Sequence, residues 1–90
     1  MKEAKAGLEI ADRVYPVRAV DRSRRGWVKV VVESVFPGRA PDLNLADRGV
    51  LAFVTPRGKL IEEPLGQLDH VLIDSDFEVE LLFCFWFKQA

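Results

Sequence analysis

The stretch Phe77-Glu78-Val79-Glu80-Leu81-Leu82-Phe83-Cys84-Phe85-Trp86-Phe87 is the most apolar part of the chain. Its first half alternates, with Phe77, Val79 and Leu81 on one face and Glu78 and Glu80 on the other. That is the period-two pattern of a half-buried β-strand. After Leu81 the alternation fails. Phe83, Phe85 and Phe87 continue the buried face, while Leu82, Cys84 and Trp86 occupy the face that should be wet. Something covers that second face. Three covers satisfy the pattern: a helix of the same chain, a second subunit, or a ligand. Two-layer packing is the default domain plan, which ranks the helix first. Buried aromatics concentrate at subunit contacts, which places a homodimer joined through Leu82, Cys84 and Trp86 next.

The other clear strand is Trp27 to Phe36. Five valines, Val28, Val30, Val31, Val32 and Val35, oppose a helix there. Val28, Val30 and Val32 form one face, and Trp27, Lys29, Val31 and Glu33 the other. Val14 to Val20 reads as extended, with Pro16 marking an edge or irregular strand. Val50 to Thr55 is a further strand, and the turn Pro56-Arg57-Gly58-Lys59 leads into a short arm from Leu60 to Glu62. Pro37-Gly38 opens a long connection through residue 49, in which Asp42 caps a helical turn through Ala46.

Two segments read as helices. Residues 2–13 place Ala4, Leu8 and Ala11 on one face. Pro64 suits a first helical position, and Leu65, Leu68, Val71 and Leu72 then share a face. These elements predict one α+β domain over residues 1–90: an antiparallel sheet of four to five strands with one or two short helices on one face. A small open barrel is the alternative.

Composition bounds the chemistry. The chain is 90 residues long, 49% hydrophobic and 30% charged, which is the profile of a folded domain and not of a disordered one. Residues 1–45 carry nine basic and six acidic side chains, whereas residues 46–90 carry four and eight. The net charge of −1 thus hides a balance of +3 against −4. The single cysteine, Cys84, excludes an intramolecular disulfide and a thiolate metal cluster. Met1-Lys2-Glu3-Ala4-Lys5 lacks the apolar core of a secretory signal, and Leu81 to Phe87 is too short for a membrane helix. The expected setting is reducing and cytoplasmic, with no membrane partner. Scarce Asn and Gln beside plentiful Arg fit a thermophile or a GC-rich genome.

No catalytic constellation emerges. His70 is the only histidine, and Asp74-x-Asp76 lacks the glycine and spacing of a calcium loop. Cys84 lies in apolar surroundings that quench a thiolate. Gly49 and Gly66 are isolated, so no glycine-rich phosphate loop is present. The reading is a non-enzyme without cofactor or metal. The best binding feature is the turn in which Arg18, Arg22, Arg24 and Arg25 surround Gly26-Trp27. Arginine forks suit phosphates, and Trp27 offers a stacking surface for a base.

Two motifs resemble a known family. Arg18-Ala19-Val20-Asp21-Arg22 fits R-x-x-x-R, and Asn44-Leu45-Ala46-Asp47-Arg48-Gly49 precedes a strand. Their order and gap are similar to those of PilZ domains, small β-barrels that bind cyclic di-GMP. That family's second motif is D/N-x-S-x-x-G, and Ala46 stands where its serine belongs. The resemblance spans residues 18–55 and implies contacts at Arg18, Arg22, Asn44 and Gly49, with one hydroxyl contact missing and binding weakened or lost.

Three functions follow in order. The first is a non-catalytic module that self-associates through its sheet. The second is a binder of phosphate, nucleotide or nucleic acid at the arginine turn. The third is a small enzyme with a site built between subunits.

Overall fold

The computed structural model describes residues 6–33, 47–76 and 80–89. Its strands are β1 (Ala6–Ile10), β2 (Arg13–Asp21), β3 (Trp27–Glu33), β4 (Arg48–Val54), β5 (Leu60–Asp76) and β6 (Glu80–Lys88). They form a closed barrel in the order β1-β2-β3-β6-β5-β4, and β4 pairs back to β1. All neighbours are antiparallel. The expected α+β fold is overturned, because there is no helix among the described residues. None there is long and apolar enough to cross a membrane. The small barrel is the correct architecture, closed where an open one was expected. The capped turn at Asp42, residues 34–36 and Phe77 to Val79 lie outside the described residues.

The core follows from alternation. Val28, Val30 and Val32 of β3 and Phe83, Phe85 and Phe87 of β6 all point inward and are buried. Leu8, Ile10, Tyr15, Leu51, Leu65 and Leu68 complete the filling. Eight-stranded barrels are just wide enough for side chains to fill, so a ring of six leaves no lumen. The Tyr15 and Phe85 rings meet at 5.4 Å between centroids.

The N-terminal helix is instead a hairpin. Leu8 and Ile10 face inward with period two, and Ile10 pairs with Arg13 around a two-residue turn. Both turn residues, Ala11 (φ 52) and Asp12 (φ 61), are left-handed. Such a turn matches strand twist but usually advertises itself as Asn-Gly or Asp-Gly. Ala-Asp gives no such signal, so the helical spacing of alanines prevailed in the reading. Pro16 is not on a sheet edge either; it pairs with Gly7 of β1 inside the ring.

The second expected helix is the middle of β5. Its three-residue spacing has a precise cause in register. Between the pairs Val50↔Pro64 and Arg48↔Gln67, β5 advances three residues while β4 advances two. Between Leu68↔Phe87 and His70↔Trp86, it advances two while β6 advances one. Each bulge adds one residue and reverses the in–out parity. Leu65, Leu68 and Val71 therefore all turn toward the core at intervals of three. Bulged strand and helix look alike at that spacing.

The same bulges let one strand serve two partners. Residues 60–67 of β5 pair with β4, and residues 67–76 pair with β6. At the corner, a Cβ on Gly66 would lie 2.1 Å from the Lys88 carbonyl oxygen, so no larger residue fits. A Cβ on Gly49 would lie 2.7 Å from the Phe87 ring. Both glycines that looked isolated in sequence mark close packing at the β4–β5–β6 junction.

Candidate functional site

Cross-strand partners carry side chains on the same side of a sheet, so the registers become rows across the outer wall. Arg48, Gln67, Lys88 and Trp27 form the first row. His70, Trp86, Lys29 and Asp21 form the second. Leu72, Cys84, Val31 and Ala19 form the third. Asp74, Leu82 and Glu33 hold the fourth register position, and Asp76 and Glu80 the fifth. The wall is thus basic and aromatic at one end and apolar in the middle, with Glu33, paired to Arg18, beyond the apolar row. The charge split between halves of the sequence does not survive as such. Glu33, from the basic half, lies beyond the apolar row, and Arg48 and Lys88, from the acidic half, join the basic end.

Trp86 is the centre of an aromatic group. His70 stacks on it at 5.7 Å and 17°, and Trp27 meets it edge-on at 6.1 Å. The Arg24 guanidinium lies 5.2 Å from the Trp27 ring centre and 5.9 Å from that of Trp86. Lys29 Nζ lies 5.6 Å from the Trp86 ring centre. Each cation sits where ring quadrupoles attract it. His70 Nδ1 donates to Asp69 Oδ2 at 2.6 Å. Asp69 is the extra residue of the second β5 bulge, so that bulge both turns His70 outward and supplies its partner.

Leu82, Cys84 and Trp86 do share the outer face of β6, as the failed alternation requires. The helix expected to cover them is absent among the described residues. Trp86 is instead half-buried by side chains of its own barrel: His70, Trp27, Arg24 and Lys29. Cys84 is 7% exposed, yet Leu72 directly beside it is 54% exposed. The apolar row is covered at Cys84 and open at Leu72.

The arginine turn does not act as one cluster. Ser23 N donates to Asp21 Oδ1 at 2.8 Å, Trp27 N to the Arg24 carbonyl at 3.1 Å, and Gly26 takes φ 82. Arg18, the extra residue of a β2 bulge, pairs with Glu33 at 2.5 Å. Arg22 pairs with Glu63 at 2.7 Å. Arg24 is held over Trp27 and Trp86, and Arg25 is exposed. Of the PilZ-like positions, Arg18 and Arg22 face carboxylates, Gly49 is packed in the core, and Asn44 and Ala46 lie outside the described residues.

His70, Lys29, Leu72 and Lys88 were missed as members of the site. His70 and Leu72 lie on the same wall as Leu82, Cys84 and Trp86, but their placement depends on bulges and on the pairing of β5 with β6, whereas Lys88 simply continues the outer face of β6. Among the described residues, no group of three His, Cys, Asp or Glu side chains is placed to hold a metal ion. No protein-family model matches the chain, and no curated protein or solved structure matches it.

Proposed function

We propose that this barrel is a non-catalytic assembly module that self-associates through the outer wall of β3, β6 and β5. One observation carries the reading. Leu72 is 54% exposed beside Cys84 and Val31 in an apolar row, with the charged residues Lys29 and Glu33 on either side. Interfaces have this anatomy, an apolar centre within a polar rim. The single cysteine supports a reducing, cytoplasmic setting. Sedimentation equilibrium across the micromolar range tests the proposal. A dimer is expected, and Leu72→Asp should abolish it while leaving the far-ultraviolet spectrum unchanged. A wild-type monomer throughout that range sinks the reading.

A second reading is favoured by a different observation. Trp86 Nε1 is buried with no hydrogen-bond partner among the described residues, and Arg24 and Lys29 sit over its ring. Two cations beside stacked aromatic rings suit an anionic, ring-bearing ligand such as single-stranded nucleic acid. Titration with a single-stranded oligonucleotide at low salt should then quench tryptophan fluorescence, and added salt should reverse it. Unchanged fluorescence rejects this second reading.

A further inference from the structure

The aromatic group on the outer wall ends in one open ring. We infer that a base of single-stranded nucleic acid stacks there, on His70, with Arg48 and Lys88 holding the phosphates beside it. This rests on the nucleic-acid reading above and adds how the strand is held. Trp86 is the larger ring, yet its surroundings are taken. His70 stacks against it from β5, 17° from parallel. Lys29 Nζ stands on the β3 side, 5.6 Å from the ring centre, and the Arg24 guanidinium lies 5.9 Å from it. Trp27 is edge-on to both rings, 6.1 Å from each, and itself carries Arg24 at 5.2 Å. The side chain of His70, by contrast, is 41% exposed.

One face of the imidazole lies against Trp86 on β6, so the other turns toward β4, the next strand round the ring. β5 pairs with β4 only as far as Gln67, and β4 begins at Arg48. Among the described residues, no strand stands beside His70 on that side. A planar ligand entering there extends the stack of Trp86 and His70 by one ring. The neighbouring row supplies the charge. Arg48 on β4 and Lys88 on β6 flank Gln67 on β5, and all three are exposed. The two cations thus stand about 10 Å apart, astride the strand that carries His70. Gln67 between them offers a donor and an acceptor to a base edge. Asp69, on the bulge, is engaged by His70 Nδ1 at 2.6 Å, so the phosphates belong on the Arg48–Lys88 row and not on the bulge. A cationic track beside an aromatic platform holds single strands with little regard to sequence.

Fluorescence anisotropy at low salt tests the placement, with a fluorescein-labelled oligothymidylate and an abasic strand of the same length as probes. The wild type should bind the oligothymidylate at least about fivefold more tightly than the abasic strand, the effect of one stacked base. His70→Ala should erase that difference and leave affinity for the abasic strand unchanged. His70→Phe keeps a ring but loses the bond to Asp69, and it should retain the difference. Arg48→Ala and Lys88→Ala should each weaken both complexes and lower the salt slope by about one. Circular dichroism verifies that each variant is folded. The stacking site is overturned if the wild type binds both strands equally, if His70→Ala keeps the difference or weakens both strands alike, or if His70→Phe loses the difference. An unchanged salt slope in Arg48→Ala and Lys88→Ala overturns the phosphate track. Each of these outcomes leaves nucleic-acid binding standing. A wild type that binds neither strand overturns both.

Discussion

Arg22 and Glu63 form an ion pair, 2.7 Å from Nη2 to Oε1, between opposite sides of the barrel. β2 and β5 stand three strands apart in either direction round the ring. With the interior filled, the contact has to pass over one mouth. Its two side chains remain 49% and 39% exposed, so screening by water keeps it weak. The expected coupling energy in a double-mutant cycle with R22A and E63A is about 0.5 kcal/mol or less. Urea denaturation at low and high salt measures it, and the coupling should shrink further at high salt.

Replacement of Gly66 should be far more damaging than replacement of Gly49. At residue 66 the added Cβ meets backbone, the Lys88 carbonyl, and neither strand can withdraw without breaking the corner. Gly66→Ala is expected to cost more than about 3 kcal/mol or to prevent folding. At residue 49 the obstacle is the Phe87 ring. Gly49→Ala should cost about 1–3 kcal/mol, and Phe87→Leu should partly relieve it when combined. Thermal denaturation of the set checks the order.

The turn between β1 and β2 can be improved. Asp12 holds a left-handed backbone, φ 61, that glycine adopts without penalty. Asp12→Gly, or Ala11→Asn with it, should raise stability by about 0.5–1 kcal/mol, visible as a higher Tm. A lower Tm would mean that the turn is not of this type.

Asp21 links the arginine turn to pH. The Ser23 hydroxyl, then the Ser23 amide, hold its carboxyl below the usual carboxylate range, with a contribution from Lys29. The folded state therefore prefers the ionised form more than the unfolded chain does. The resulting stability is complete above the ordinary range for aspartate, near about 4, and is lost as pH falls through the lowered value. Asp21→Asn should flatten that part of the acid limb in urea midpoints recorded against pH. An unchanged acid limb would show that the Ser23 bonds do not matter in solution.

How far residues announce their structure depends here on register. β3 and the second half of β6 are legible because Val28, Val30 and Val32, and Phe83, Phe85 and Phe87, hold one inward face at period two with no bulge between them. β5 is not, because its bulges give Leu65, Leu68 and Val71 the spacing of a helix. β1 is not, because Ala11-Asp12 lacks the residues that normally mark its turn. The need for a cover over Leu82, Cys84 and Trp86 was legible from one strand alone. The identity of the cover was not, since His70 and Lys29 reach Trp86 only through strand pairings formed by folding.

The order of strands round the ring has a consequence for biosynthesis. β6, the last of the six in the chain, sits between β3 and β5. While residues 80–88 are still being made, both neighbours present unpaired backbone edges, and the inward faces of Val28, Val30 and Val32 have no phenylalanines against them. The nascent barrel therefore stays an open, adhesive sheet until its final strand is released from the ribosome. A truncation before residue 80 should leave that state permanent, with insoluble protein as the visible outcome.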